Sequence, residues 1–181
     1  MDLTEKKLTS KLIYKGALVT LYKDTVLCPN GDEAPREYIR HVKAAAILPL
    51  TKDGKILLEH QFRYPLGKVI IEVPAGKSDG DEKPEETAKR ELEEETGKKA
   101  GKLVFCGQFA PTCAYSDEVI YLYIAPQLEP GKRHLDKDEL IDLFEATPAE
   151  FFAMCDKGEI VDGKTLALAY YLKRYLENRE K

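Results

Sequence analysis

An α+β fold is predicted for this chain: a mixed β-sheet packed between helices over residues 43–181, preceded by a small antiparallel β subdomain over residues 1–42. Three observations predict it. Stretches alternating apolar and polar residues, the period-2 signature of half-buried strands, recur along most of the chain. Helix signals mark only three segments, and these do not alternate with strands as βαβ units would. Asn30-Gly31 and Asp53-Gly54 each stand between two strand-like runs, a hairpin signal that favours antiparallel neighbours.

The elements follow in order. "ALVTLYKDTVLC" and "APREYIRHV" flank "PNGD" and form the first hairpin. "AAAILPL" and "KILLEHQF" flank "TKDG" and form the second. "VIIEVPAG" is a strand stopped by Pro74 and Gly76. A helix spans residues 84–95, with Pro84 suited to its first turn and Gly97 to a left-handed stop. "KLVFCGQFA" and "EVIYLYIA" continue the sheet, a polar loop "EPGKRHLDKDE" follows, and "LIDLFEA" is a short strand. Thr147-Pro148-Ala149-Glu150 is a capping box that starts a helix. The last helix carries Leu168, Leu172, Tyr175 and Leu176 at the spacing of one buried face. Tyr170, Tyr171 and Tyr175 of this helix are expected to serve core and dimer packing.

Composition narrows the function. The 181 residues are 43% hydrophobic and 33% charged, enough for a real core in a soluble domain. The net charge of −4 and the absence of a basic stripe speak against a nucleic-acid partner. Cys28, Cys106, Cys113 and Cys155 lie far apart, which predicts reduced thiols and neither a zinc site nor a redox pair. No stretch has the length of a membrane span and the N-terminus is polar, so a soluble cytoplasmic protein without membrane partners is expected. His41, His60 and His134 show no ligand spacing.

The predicted helix at 84–95 collects Glu91, Glu93, Glu94 and Glu95 in its last turns, where the macrodipole already concentrates negative charge. Each such acid costs roughly 0.3–1 kcal/mol. Glu91, Glu94 and Glu95 fall within about 100° of one another, with Ala88 and Leu92 beside them to pack on the sheet. Three carboxylates on one partly packed face repel each other unless hard cations stand between them. Oxygen ligands without His or Cys select Mg²⁺ or Mn²⁺. The competing explanation is a solvated acidic helix laced by pairs with Lys89 and Arg90.

The spacing decides between them. Gly76, Glu82, Arg90, Glu91, Leu92, Glu94, Glu95 and Gly97 fit the pattern G-x5-E-x7-R-E-U-x-E-E-x-G, with U aliphatic. This resembles the signature box of the Nudix hydrolases, with Lys98 standing where the family usually has an aliphatic packing residue. The resemblance implies a Nudix-type fold and hydrolysis of a nucleoside diphosphate linked to another group. It makes Glu91, Glu94 and Glu95 metal-binding and catalytic, with the backbone carbonyl of Ala75 as a further ligand. Arg90 orients the glutamates, and Glu82 supports the loop and helix. Cations there would neutralise the diphosphate and lower the pKa of the attacking water.

The resemblance extends over most of the chain. "LLEHQFRYPLGKVIIEVPAGK" is similar to the ADP-ribose pyrophosphatase subgroup, in which the arginine matching Arg63 reaches substrate phosphates; its planar fork suits that task. "APTCAYSDE" resembles a substrate loop of the subgroup, with Ala110 and Thr112 replacing its serine and glycine, and offers Ser116, Asp117 and Glu118. Members form homodimers that exchange N-terminal elements and share an adenine site, to which Arg36, Tyr38 and Arg40 are placed to contribute. A glutamate on a late mobile loop usually serves as general base. "HLDKDELID" offers Asp136, Asp138 and Glu139, and aligning the aliphatic residues that follow favours Glu139. The implied activity is Mg²⁺-dependent cleavage of ADP-ribose or a related nucleoside diphosphate sugar. A GDP-mannose-type sugar nucleotide hydrolase and a non-catalytic nucleotide-sugar sensor are the alternatives.

Overall fold

The computed structural model describes residues 1–179, which form two compact units: 1–42 with 110–118, and 43–109 with 119–179. The first unit is an antiparallel sheet of β1 (Lys6–Lys15), β2 (Thr20–Leu27) and β3 (Glu33–Arg40) in the order β1-β2-β3. Asn30-Gly31 makes the predicted turn between β2 and β3: Gly31 has φ 92° and its N–H donates to the Cys28 carbonyl at 2.9 Å. Strand β1 was not expected. Its sequence KKLTSKLIYK lacks alternation, and every residue in it is exposed, so no buried face imposes a period on it. The returning segment 110–118 joins this unit through a parallel bridge between Ile39 and Ser116.

The second unit bears out the predicted α+β class. Its centre is β4 (Ala44–Pro49), buried along its whole length. β4 runs parallel to β9 (Ile120–Pro130) and antiparallel to β7 (Ala75–Lys77), and β8 (Lys98–Phe109) completes a mixed sheet in the order β7-β4-β9-β8. A second sheet places β5 (Ile56–Arg63) between β10 (Ile141–Ala146) and β6 (Lys68–Glu72). The period of two in β4 divides the core. Ala45 and Ile47 pack with Ala88 and Leu92 of helix α1 (Pro84–Thr96) on one side. Ala46 and Leu48 pack on the other with Phe151 of α2 (Pro148–Asp156) and Leu168 and Leu172 of α3 (Gly163–Glu177). The sheet therefore lies between helices.

Two expectations change in detail. Asp53-Gly54 does turn the chain, with Gly54 at φ 76°, yet β4 and β5 join different sheets and meet in a single bridge between Leu50 and Ile56. Burial of β4 on both faces commits its edges to β7 and β9 instead. "VIIEVPAG" is two strands, not one. Pro74 has no N–H to continue a ladder, so the chain leaves one sheet after Glu72 and enters the other at Ala75. Val73 bridges the gap by donating its N–H to Thr165 Oγ1 of α3 at 3.0 Å.

Candidate active site

Helix α1 ends on Gly97, whose φ of 69° supplies the left-handed stop, and its last two turns aim their acids at the sheet. Leu92 is fully buried and pins the helix, which turns Glu95 inward to 2% exposure. There Glu95 Oε2 accepts the Ala75 N–H at 2.9 Å, so the strand predicted to offer a carbonyl is held beside the helix by its amide. The next residue has to be glycine: a Cβ on Gly76 would stand 1.9 Å from Glu91 Oε1. That close approach explains why the motif begins with Gly.

Arg90 organises the outer acids. Its Nε and Nη2 donate to Glu82 Oε1 and Oε2 at 3.1 and 2.9 Å. Nη1 donates to both Glu91 Oε1 and Glu94 Oε2 at 2.8 Å, and Nη2 also reaches the Lys77 carbonyl at 2.9 Å. The Arg90 guanidinium holds the Glu82 carboxyl down at about 2. Glu82 is thus a strut of the loop: it also accepts from Asp79 N–H and Thr87 Oγ1. Lys98, the departure from the motif, is exposed at the start of β8 and leaves the packing to Ala100.

The inner acids are electrostatically frustrated. Burial pushes the Glu91 carboxyl up to about 7 against the pull of Arg90, and Glu94 and Glu139 push it further. Burial likewise raises Glu95, with the charges of Glu59, Glu91 and Glu139 adding to it. Of the three loop acids, Glu139 is half-buried while Asp136 and Asp138 are exposed. Gln61 Nε2 of β5 donates to Glu139 Oε1 at 3.4 Å.

Arg63, expected at the phosphates, closes its fork on Glu72. Nε and Nη2 donate to the two carboxylate oxygens at 2.6 and 2.7 Å. Glu72 is 1% exposed and is also paired with the buried Lys164, which in turn stands 3.1 Å from the Asp162 cap of α3. Only the second terminal nitrogen of Arg63 is left outside the fork. Arg40, Ser116 and Glu118 form a group in the first unit. Arg40 Nε lies 3.3 Å from Asp117 Oδ2 and its guanidinium 5.8 Å from the Tyr38 ring centre; Tyr38 in turn stacks on Tyr22. Ser116 Oγ accepts the Glu118 N–H at 3.2 Å, and Glu118 Oε1 stands 3.5 Å from His41 Nδ1.

Four participants escaped sequence reasoning. Glu59 sits in an apolar run and signals only a strand. Lys164 looks like a helix-start residue. Arg133 donates to the Glu95 and Ile141 carbonyls, and His134 Nε2 lies 3.5 Å from Glu94 Oε1. All four depend on contacts between distant segments, and no local spacing announces them.

The donor set fits a hard divalent cation. It is all oxygen, it is largely buried, and it includes a carboxylate with no internal hydrogen-bond donor, Glu59. Among the described residues no group of three acids converges to cradle an ion, because Arg90 holds Glu91 and Glu94 while Ala75 holds Glu95. Binding would thus draw Glu91 and Glu94 from Arg90. A cleft of about 480 Å³ lined by Phe105, Tyr170, Tyr171 and Arg174 contains none of these acids.

A mixed sheet between helices, with a glycine-stopped acidic helix set against a glycine of the neighbouring strand, defines a Nudix domain. The NUDIX domain family model matches residues 40–169, and the chain belongs to that family. It is 39% identical over 174 residues to the ADP-ribose pyrophosphatase of Bacillus subtilis (strain 168), covering 95% of this chain and 94% of that protein. It is also 39% identical over 171 residues to the methanol dehydrogenase activator of Bacillus methanolicus, covering 93% and 92%. Among solved structures, an ADP compounds hydrolase superposes with a TM-score of 0.89 over 99% of this chain and 98% of the other; at 19% identity that likeness concerns the fold. No helix among the described residues is long and apolar enough to cross a membrane.

Proposed function

We propose that this protein hydrolyses the diphosphate of ADP-ribose or a related nucleoside diphosphate sugar with Mg²⁺ or Mn²⁺, releasing AMP and ribose 5-phosphate from ADP-ribose. The observation that carries the reading is the acidic face of α1 buried against Ala75 and Gly76, in a chain similar along nearly its whole length to an ADP-ribose pyrophosphatase. Glu91, Glu94, Glu95 and the Ala75 carbonyl would hold the metal. When bound, the metal neutralises the diphosphate and makes water more acidic. Arg90 keeps the glutamates oriented before binding. Glu139 accepts the proton of the water that attacks phosphorus, as the P–O bond to the departing phosphate breaks. Arg63 presents its remaining donor to a phosphate oxygen, with the guanidinium plane set by Glu72.

The first unit supports a homodimer that completes the substrate site. Leu8, Leu12, Ile13 and Tyr14 of β1 are exposed, an apolar cost that a second copy would remove. Arg40, Ser116 and Glu118 then serve the nucleoside side of the substrate, and light scattering at micromolar concentration tests the dimer. Four free thiols suit a cytoplasmic location.

A release assay over ADP-ribose, GDP-mannose and other nucleotide sugars tests the activity. Nucleoside monophosphate should appear only with Mg²⁺ or Mn²⁺, and Glu95→Gln should lower kcat at least about 10²-fold. Full activity in EDTA overturns the assignment. A second reading, activation of a dehydrogenase, is favoured by the similarity to the Bacillus methanolicus activator. Adding this protein to a methanol dehydrogenase assay, with and without Mg²⁺, tests it: an unchanged rate removes it.

A further inference from the structure

Strand β5 presents Glu59, Gln61 and Arg63 at alternate positions, and so on one face of its sheet. Two of the three are matched to partners. Arg63 is bound to Glu72, and Gln61 to Glu139. Glu59 is 1% exposed, and neither of its carboxylate oxygens has a hydrogen-bond partner among the described residues. Its cross-strand neighbours offer none: Leu143 is apolar, and Glu72 is another acid. Neither nearby base donates to it: Arg63 closes its fork on Glu72, and Lys164 pairs with Glu72 and Asp162.

A buried carboxylate without donors is rarely retained unless something occupies its lone pairs. Glu59 shares its face of β5 with Gln61, whose side chain reaches Glu139. The Glu59 charge acts on Glu95 more strongly than that of any other neighbouring acid. Among the charges acting on Glu59 itself, that of Lys164 is the largest and favours the ionised carboxylate, the form that binds a cation, while Glu72 and Glu139 oppose it. A proton would satisfy one of its lone pairs. A divalent cation would satisfy Glu59 and Glu95 together, and would remove the repulsion between them.

We propose that Glu59 is a further carboxylate of the metal centre, holding a divalent cation jointly with Glu95 on the sheet side of helix α1. The proposal rests on the metal-dependent reading above. It adds to the helix glutamates a ligand from a different strand, outside the motif, so that the cation ties β5 to α1.

The test is Mn²⁺ binding to the metal-free full chain, followed by electron paramagnetic resonance and calorimetry, with the Mn²⁺-induced rise in Tm as a readout independent of activity. The wild type, Glu59→Gln, Glu59→Asp and Glu95→Gln are compared. Glu59→Gln, nearly the same shape without the charge, should raise the Mn²⁺ Kd at least about tenfold or remove one bound ion, and should lose most of the rise in Tm. Glu59→Asp, which keeps the charge on a shorter stem, should recover part of the affinity and also serves if the Gln variant does not fold. If both Glu59 variants bind Mn²⁺ within about twofold of wild type while Glu95→Gln does not, Glu59 is a neutral buried acid and the proposal falls, with the metal-dependent reading intact. If the wild type itself binds no Mn²⁺, both fall.

Discussion

Arg133 Nε donates to the main-chain carbonyl of Glu95 at 2.6 Å, and its Nη2 donates to that of Ile141, also at 2.6 Å. Helix α1 has no basic residue in its own last turn. The cation expected at a helix C-terminus is supplied instead by the loop that follows β9, and this offsets part of the cost of crowding acids there. His134, one residue on, donates its N–H to the Glu94 carbonyl at 3.0 Å and reinforces the same contact.

Arg133→Met should therefore loosen both the helix end and the loop that carries Glu139. We expect a loss of roughly 1–2 kcal/mol in thermal or urea unfolding. Arg133→Lys, which cannot bridge two carbonyls with a planar fork, should recover only part of it. A Met variant as stable as wild type would show that the bridge contributes nothing.

The inner acids set the pH dependence of stability. Burial raises the carboxyls of Glu59, Glu91 and Glu95 above their ordinary 4.5, Glu91 to about 7. Such groups favour the folded chain fully below pH 4.5, where both states are protonated. Their contribution is lost as pH climbs through the folded values, since the folded state must then give up protons it holds more tightly. Metal-free protein should accordingly have a higher Tm near about pH 6 than near about pH 8.5, while the rise in Tm produced by Mg²⁺ should grow with pH as the metal competes with those protons. Scanning calorimetry in EDTA and in Mg²⁺ at both values checks this. A metal-free Tm that increases over the interval contradicts it.

Arg63 and Glu72 should separate binding from catalysis. Arg63→Ala removes the donor proposed to meet a substrate phosphate, and KM for ADP-ribose should rise about tenfold or more with kcat less affected, as expected for losing roughly 1.5–3 kcal/mol of charged hydrogen bonding. Lys164 keeps Glu72 paired, so the fold should survive. Lys164→Met instead breaks a pair between side chains 9% and 1% exposed, and should destabilise by roughly 3 kcal/mol. Steady-state kinetics paired with unfolding curves distinguishes the two effects. Unchanged KM in Arg63→Ala would leave that arginine a purely structural partner of Glu72.

Glu139→Gln should lower kcat about 10²–10⁴-fold, the usual cost of losing a general base, with KM and Mn²⁺ affinity close to wild type. Asp136→Asn and Asp138→Asn, on exposed side chains, should retain most activity. A pH–rate profile locates the effect, because the acidic limb should disappear only in the Glu139 variant. Should Glu139→Gln keep most of its rate, the base must be sought among the helix glutamates.

Much of the candidate site is legible in the chain because a helix is a local structure. Spacing alone sets which side chains of 84–95 share a face, so Glu91, Glu94, Glu95 and the Arg90 that threads them are evident from residue types and intervals. Gly76 and Gly97 are legible for a related reason: a close approach and a left-handed turn exclude side chains wherever they occur. The class of fold follows from strand periodicity and the three helix signals. Strand β1 escapes, since nothing buried disciplines its sequence. Strands β6 and β7 look continuous, since membership of a sheet is decided by partners and not by propensity.

Contacts between segments far apart in sequence were decided only in three dimensions. Arg63 turns to Glu72 because Lys164, about ninety residues later, helps to bury that acid. Glu59, one charge in an apolar strand, is left without a hydrogen-bond donor because its cross-strand neighbours, Leu143 and Glu72, come from segments whose pairing with β5 no local spacing reveals. Local spacing can fix which groups a helix or strand presents. What those groups meet depends on the long-range burial of apolar surface, which is non-directional, and so is determined only when the whole core assembles.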